Sequence, residues 1–156
     1  MNENSASRLL AVPVLLLALT LAACSNGVEV RSNLPLIESS GDVSFTTTTT
    51  SYQGGAIVEV RLVNGSDSEV GYNICFAFLS LERYEGGGWS DTKKNLGPDE
   101  MTACTNELRI MQNGGSDIGK AYLPRDLAPG TYRLVHDAEL DGERTTLATN
   151  SFTVTE

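Results

Sequence analysis

The sequence predicts an all-β chain folded as a sandwich of about seven or eight strands, and three observations predict it. Short apolar runs alternate with polar residues at period two, as Val58, Val60 and Leu62 do against Glu59 and Arg61, the pattern of a half-buried strand. Turn residues punctuate these runs at Gly54-Gly55, Asn64-Gly65-Ser66-Asp67-Ser68, Gly86-Gly87-Gly88 and Asp141-Gly142. Such residues reach positive φ at low cost or bond the local backbone through a short side chain. No stretch sustains an apolar period of 3.6 residues.

Val43-Ser44-Phe45 lead into Thr46 to Thr50, a β-branched tract suited to a strand. A low-complexity linker is the competing reading. The hydrophobic residues before the tract and Tyr52 after it favour an exposed or edge strand. The alternating strand around Val58 to Leu62 comes next. Tyr72 to Tyr84 reads as one long strand, or one strand with a bend, and carries Cys75. Its apolar run from Ile74 to Leu79 implies burial on both faces in part. Trp89 begins the return, and the polar residues Ser90 to Asp99 read as loop. Ala103 to Met111, around Cys104, Leu108 and Ile110, form another expected strand, followed by one holding Ile118, Ala121 and Leu123. After Leu127-Ala128-Pro129-Gly130-Thr131 a strand places Tyr132, Leu134, His136, Ala138 and Leu140 on one face. Asp141-Gly142 is a two-residue hairpin signal, and Leu147 to Val154 return as the last strand.

The N-terminal segment, residues 1–23, reads as targeting rather than fold. Arg8 precedes an apolar run from Leu9 to Leu21 broken only by Pro13 and Thr20. At about 13 residues the run is short of the about 20 that span a bilayer. It ends in Leu21-Ala22-Ala23-Cys24, which resembles the lipobox of bacterial lipoproteins. That resemblance implies cleavage before Cys24, lipid on its thiol and an extracytoplasmic protein anchored to the cell membrane or outer membrane. Glu3 offsets Arg8, so the basic n-region is weaker than in most such signals. Residues 24–41 have no clear period and read as a tether, which stretched would reach on the order of 55 Å. Leu34, Leu36 and Ile37 within it can pack on the domain that occupies 42–156.

The formal charge is −9, and it survives loss of residues 1–23 because Arg8 and Glu3 cancel. Such acidity disfavours nucleic acid and anionic headgroups as partners, since the long-range field repels phosphate. Three cysteines are an odd number for an exported chain. With Cys24 lipidated, Cys75 and Cys104 remain, and an oxidising compartment favours a disulfide between them. Closing a loop of about 30 residues stabilises by roughly 3–4 kcal/mol on chain entropy.

Several segments together resemble bacterial immunoglobulin-like domains found alone behind a signal peptide or lipobox. They are Gly71-Tyr72-Asn73-Ile74-Cys75, Leu81-Glu82-Arg83 with Gly88-Trp89, Ala103-Cys104-Thr105, Leu127 to Arg133 with its Pro-Gly-Thr-Tyr centre, and Asn150-Ser151-Phe152-Thr153-Val154. The resemblance covers roughly Val43 to Glu156. It implies a β-sandwich, a Cys75–Cys104 bridge joining the Tyr72–Tyr84 strand to the one around Cys104, and no cofactor. Tyr132 resembles a tyrosine corner, a folding device. Trp89 reads as core, with exposure on a binding face as the competing reading.

Catalytic signals are not found. His136 is the one histidine and reads as a satisfied core or surface residue. Zinc needs three or four ligands, a Ser-His-Asp site needs a nucleophile elbow or its equivalent, and Gly86-Gly87-Gly88 lacks the Lys and helix of a phosphate loop. Acidic groups at Asp67/Glu69, Asp99/Glu100 and Asp137/Glu139/Asp141/Glu143 offer calcium only loosely, since none follows an EF-hand spacing. The expectation is a non-catalytic binding or interaction module, engaging an envelope protein or polymer. Two alternatives remain: a structural or secretion-related subunit pairing through an edge strand at Thr46 to Thr50, and a small hydrolase or enzyme inhibitor.

Overall fold

Alternation of side chains decides which face each strand buries, and the strand opened by Pro129-Gly130 organises the rest. In a computed structural model, residues 36–38, 42–98 and 103–156 are described. Residues 1–23, read as a targeting segment, Cys24, most of the stretch read as a tether and the Asp99/Glu100 pair lie outside them. In chain order the strands are β1 (Leu36–Glu38), β2 (Val43–Thr47), β3 (Ser51–Gln53), β4 (Ile57–Asn64), β5 (Val70–Tyr72) and β6 (Leu79–Glu85). There follow β7 (Gly88–Asp91), β8 (Arg109–Met111), β9 (Ser116–Tyr122), β10 (Gly130–Leu140), β11 (Glu143–Ala148) and β12 (Phe152–Thr155), with one 3₁₀ turn at Phe76–Phe78.

β2, β4 and β9 form an antiparallel sheet in that order, and the other described strands form a second sheet built on β10. β11 and β12 run end to end along one side of β10, and β6 and β5 along the other. β3 pairs in parallel with β12 and β1 in parallel with β11, whereas β7 pairs antiparallel with β6 and β8 antiparallel with β5. The chain leaves the first sheet at Thr47 and enters the second at Ser51. This is an immunoglobulin-like sandwich, one sheet answering to strands A, B and E and the other to G, F and C with C′. The segments outnumber the seven or eight expected because two of the long strands are interrupted and the three-residue strands β1 and β3 are added to the large sheet.

The core lies between the sheets. Phe45, Val58, Val60 and Leu62 from the small sheet meet Leu81, Leu134, Leu147 and Phe152 from the large one, all at most 2% exposed. Each such burial contributes about 1.5–3 kcal/mol relative to exposure. At the end of β4 the fully buried Asn64 donates through Nδ2 to the carbonyls of Ser68 and Met111. Its Oδ1 accepts from the Ser66 backbone and hydroxyl, so the turn chemistry at 64–68 also stitches the sheets together. Asp141 and Gly142 both take positive φ, as do Gly86 and Gly87, the backbone twist that tight hairpins demand.

Several expectations are corrected. The threonine tract is strand only to Thr47; Thr48 to Thr50 make the crossing between sheets. Thr47, on an edge strand, is capped by Asn150, whose Oδ1 accepts from the Thr47 N–H and whose Nδ2 donates to the hydroxyl. Tyr72 to Tyr84 is two strands with a broken middle, and only Arg109 to Met111 of the Ala103–Met111 segment is strand. The bridge therefore joins two non-strand segments, Cys75 to Cys104, with Cα atoms 5.9 Å apart. Trp89 is half-buried rather than core, because it pairs with Tyr84 on the face opposite Leu81. There the Arg133 guanidinium lies 4.4 Å over its ring and bonds Glu82 Oε2 at 2.8 Å. Leu36 and Ile37 belong to an ordered strand within the stretch read as tether.

Tyr132 is a tyrosine corner: 1% exposed, with its hydroxyl donating to the Ala128 carbonyl at 2.7 Å. Arg83 clamps the same turn through a bond to the Pro129 carbonyl. We expect Tyr132→Phe to keep the fold and lose about 1–2 kcal/mol, since the Ala128 acceptor loses its donor. Urea denaturation of the two proteins checks this.

Candidate functional site

A strand ladder needs one partner group for each inward-turned N–H and C=O, and along β10 that supply fails at one place. β6 pairs as far as Leu79 with His136, and β5 resumes at Gly71 with Glu139. Opposite the two intervening residues, Asp137 and Ala138, the other strand loops out from Tyr72 to Phe78. Within this break the His136 ring replaces the missing partners. Its Nε2 accepts from the Asn73 N–H and its Nδ1 lies 3.3 Å from the Phe78 carbonyl. An Nε2 that accepts carries no proton, so the neutral ring holds its proton on Nδ1 and donates it to Phe78.

Burial lowers the His136 pKa from its ordinary value, outweighing the Phe78 carbonyl and the nearby Asp137, which favour the charged form. The residue is 2% exposed. A second proton would also set an Nε2–H against the Asn73 N–H. Of the two readings, a satisfied core or surface histidine, the structure shows the core one, with backbone rather than side-chain partners.

Asn73 was not singled out from the sequence, yet it holds the break together. Its Nδ2 donates to the carbonyls of Thr105 and Glu107, and its Oδ1 accepts from the Cys75 N–H. With the Cys75–Cys104 bridge, these bonds pin residues 103–108 against the gap. One cleft of about 360 Å³ opens here. Phe78, Ala77 and Leu108 supply its apolar wall, while Asn73, Asn106, Ser80, His136 and Asp137 supply polar atoms. A second cleft of about 420 Å³ lies between the disulfide and β9, with Phe76, Tyr122, Arg109, Asp117 and Lys120 among its walls. Asp117 Oδ2 there accepts from the Tyr72 hydroxyl and from Arg109, each at 3.0 Å. Burial raises the Tyr72 pKa, and the Asp117 carboxylate adds to the effect.

Among the described residues no three His, Cys, Asp or Glu side chains gather as metal ligands. Asp141 instead accepts from the Glu69 N–H, and its pKa is lowered by hydrogen bonds from Ser68 and Glu69. The acidic run therefore serves a turn at this point.

Because folding lowers the His136 pKa below its ordinary 6.5, the unfolded chain takes up the proton first as pH falls. The stabilisation is complete above pH 6.5 and declines below it toward the folded value, by up to about 1.4 kcal/mol per pH unit. We expect His136→Gln to be less stable at pH 8, with the gap to the wild type narrowing toward pH 5.5. Denaturant midpoints of both proteins at each pH measure it.

No protein-family model matches the chain, and no curated protein sequence does. Among solved structures it is similar to neutral ceramidase from Pseudomonas aeruginosa, at 18% identity and a TM-score of 0.43, over 74% of this chain and 19% of that one. It is also similar to a PapD-like domain of human CEP192, at 14% identity and a TM-score of 0.29, over 74% of this chain and 89% of that one. Both likenesses are distant, and the fold rests on the strand pairing itself.

Proposed function

We propose that this chain is an extracytoplasmic lipoprotein, anchored through Cys24, whose sandwich domain is a non-catalytic binding module for an envelope protein or polymer. The observation that carries the binding role is the cleft at the broken strand. It sits on a segment fixed by a disulfide and by Asn73, and it combines apolar walls with a few polar groups, the usual make-up of a recognition site. The chain's one histidine has both ring nitrogens engaged by backbone, which leaves it poorly placed as a general base. Leu21-Ala22-Ala23-Cys24 supports the anchor, and a diacylated or triacylated cysteine would hold the domain stably at a membrane. The disulfide fits an oxidising compartment.

The test uses the full chain in cells fed a radiolabelled fatty acid. The wild type should carry label and enter the detergent phase on Triton X-114 partition, and Cys24→Ala should do neither. Unlabelled, water-soluble wild type would remove the anchor. Formaldehyde treatment of intact cells should yield a discrete adduct of the wild type, and its consistent absence would count against a binding role.

A further inference from the structure

An apolar patch surrounds the cleft at the broken strand. Leu108 and Ile110 are 51% and 54% exposed, and Phe78 is 38% exposed. Phe78 and Leu108 both wall the cleft. Gly71 explains how the patch is continuous: a Cβ there would lie 3.4 Å from Leu108 Cδ2 and 3.2 Å from Glu139 Cβ. Ile110 stands opposite Gly71 in the β5–β8 register. The absent side chain lets Leu108 and Glu139 close over the backbone, leaving one surface rather than two. Exposed aliphatic and aromatic groups held on a rigid support are the mark of a protein-binding surface.

The charge around this patch is mainly acidic, with Arg144 opposite Glu139 in the β10–β11 register at a distance beyond an ion pair. Glu107 is exposed and Glu139 half-buried. Neither carboxylate has an ion-pair partner among the described residues. Asp137 lines the cleft itself. The nearby Arg109 is drawn away to Asp117 at 3.0 Å. An acidic frame around apolar anchors selects a partner with the complementary arrangement, by steering and by rejecting acidic competitors.

Resting on the binding role proposed above, we infer that the Phe78–Leu108–Ile110 face docks a polypeptide segment carrying a large apolar side chain flanked by Lys or Arg. The apolar side chain enters the cleft beside Phe78 and Leu108, and the cations lie against Glu107, Asp137 and Glu139.

A photo-crosslinking amino acid placed in the full chain in its own cells tests this, at position 108 or 110 and, for comparison, at the exposed positions 57 and 118 on the other sheet. The expected result is a protein adduct from 108 or 110, with the crosslinked peptide, read by mass spectrometry, holding Lys or Arg beside an apolar residue. Adducts only from 57 or 118 overturn this site and leave the binding role standing. No adduct from any of the four overturns both. A glycan, lipid or acidic peptide captured at 108 or 110 overturns the stated chemistry. In vitro, the labelled hexapeptide Lys-Lys-Leu-Phe-Lys-Lys should bind at least tenfold more tightly than Glu-Glu-Leu-Phe-Glu-Glu in low salt. Leu108→Ser should weaken it about tenfold and Glu107→Gln/Glu139→Gln several-fold, with unchanged circular dichroism. Equal binding of the two peptides, or indifference to Leu108→Ser, overturns the proposal.

Discussion

Backbone hydrogen bonding along one side of β10 constrains much of this molecule. A buried N–H or C=O without a partner costs about 1–3 kcal/mol, and a strand that loops out between Tyr72 and Phe78 threatens several at once. The imidazole of His136 reaches two of them, the Asn73 N–H and the Phe78 carbonyl. The carboxamide of Asn73 takes care of others on the far side of the gap. A histidine suits the position because, neutral, it accepts at one nitrogen and donates at the other, across the width of a ring. That requirement also ties the fold to pH.

The disulfide belongs to the same construction. Cys75 lies in the looped segment and Cys104 in the long connection between β7 and β8, neither in a strand. In antibody domains the bridge crosses the core between sheets; here the core is closed by side chains such as Leu62, Leu134 and Phe152. The bridge instead fixes one irregular segment against another, at an edge where packing alone holds little. Residues 103–108 are thereby kept in place with three kinds of tie: the covalent bond, the Asn73 amide and the short pairing of β8 with β5.

Much of the framework was legible in the sequence, wherever a local rule acted alone. Asp141-Gly142 turned as hairpin chemistry requires, Val58, Val60 and Leu62 went inward by alternation, and Tyr132 made its corner bond to a carbonyl four residues upstream. The broken strand was not legible, because Ile74 to Leu79 is an apolar run that reads as buried strand whether or not it is paired. Trp89 misled by its size. Its face is set by register with Tyr84 across the Gly86-Gly87 turn, a property of two strands that no single-residue preference reveals. The parallel pairings of β1 and β3 escaped notice for the same reason: three-residue strands carry too little pattern to be seen without their neighbours. Of the site, Cys75, Cys104 and His136 stood out by rarity, whereas Asn73 acts through backbone groups that every sequence possesses.

The break also bears on the binding role proposed for the domain. A continuous strand from Val70 to Glu85 would satisfy β10 with no help from histidine or disulfide. The sequence instead spends seven residues where two would span the gap, and compensates with a buried ring, an asparagine and a covalent tie. Departures from local regularity that are compensated this fully are what functional surfaces look like. The product of this one is an exposed Phe78 and Leu108 on a rigid rim, beside Glu107 and Glu139, which have no ion-pair partner among the described residues. Both ring nitrogens of His136 are consumed in building the wall of the cleft, which is why the proposed role draws on the shape and charge of the surface rather than on the imidazole.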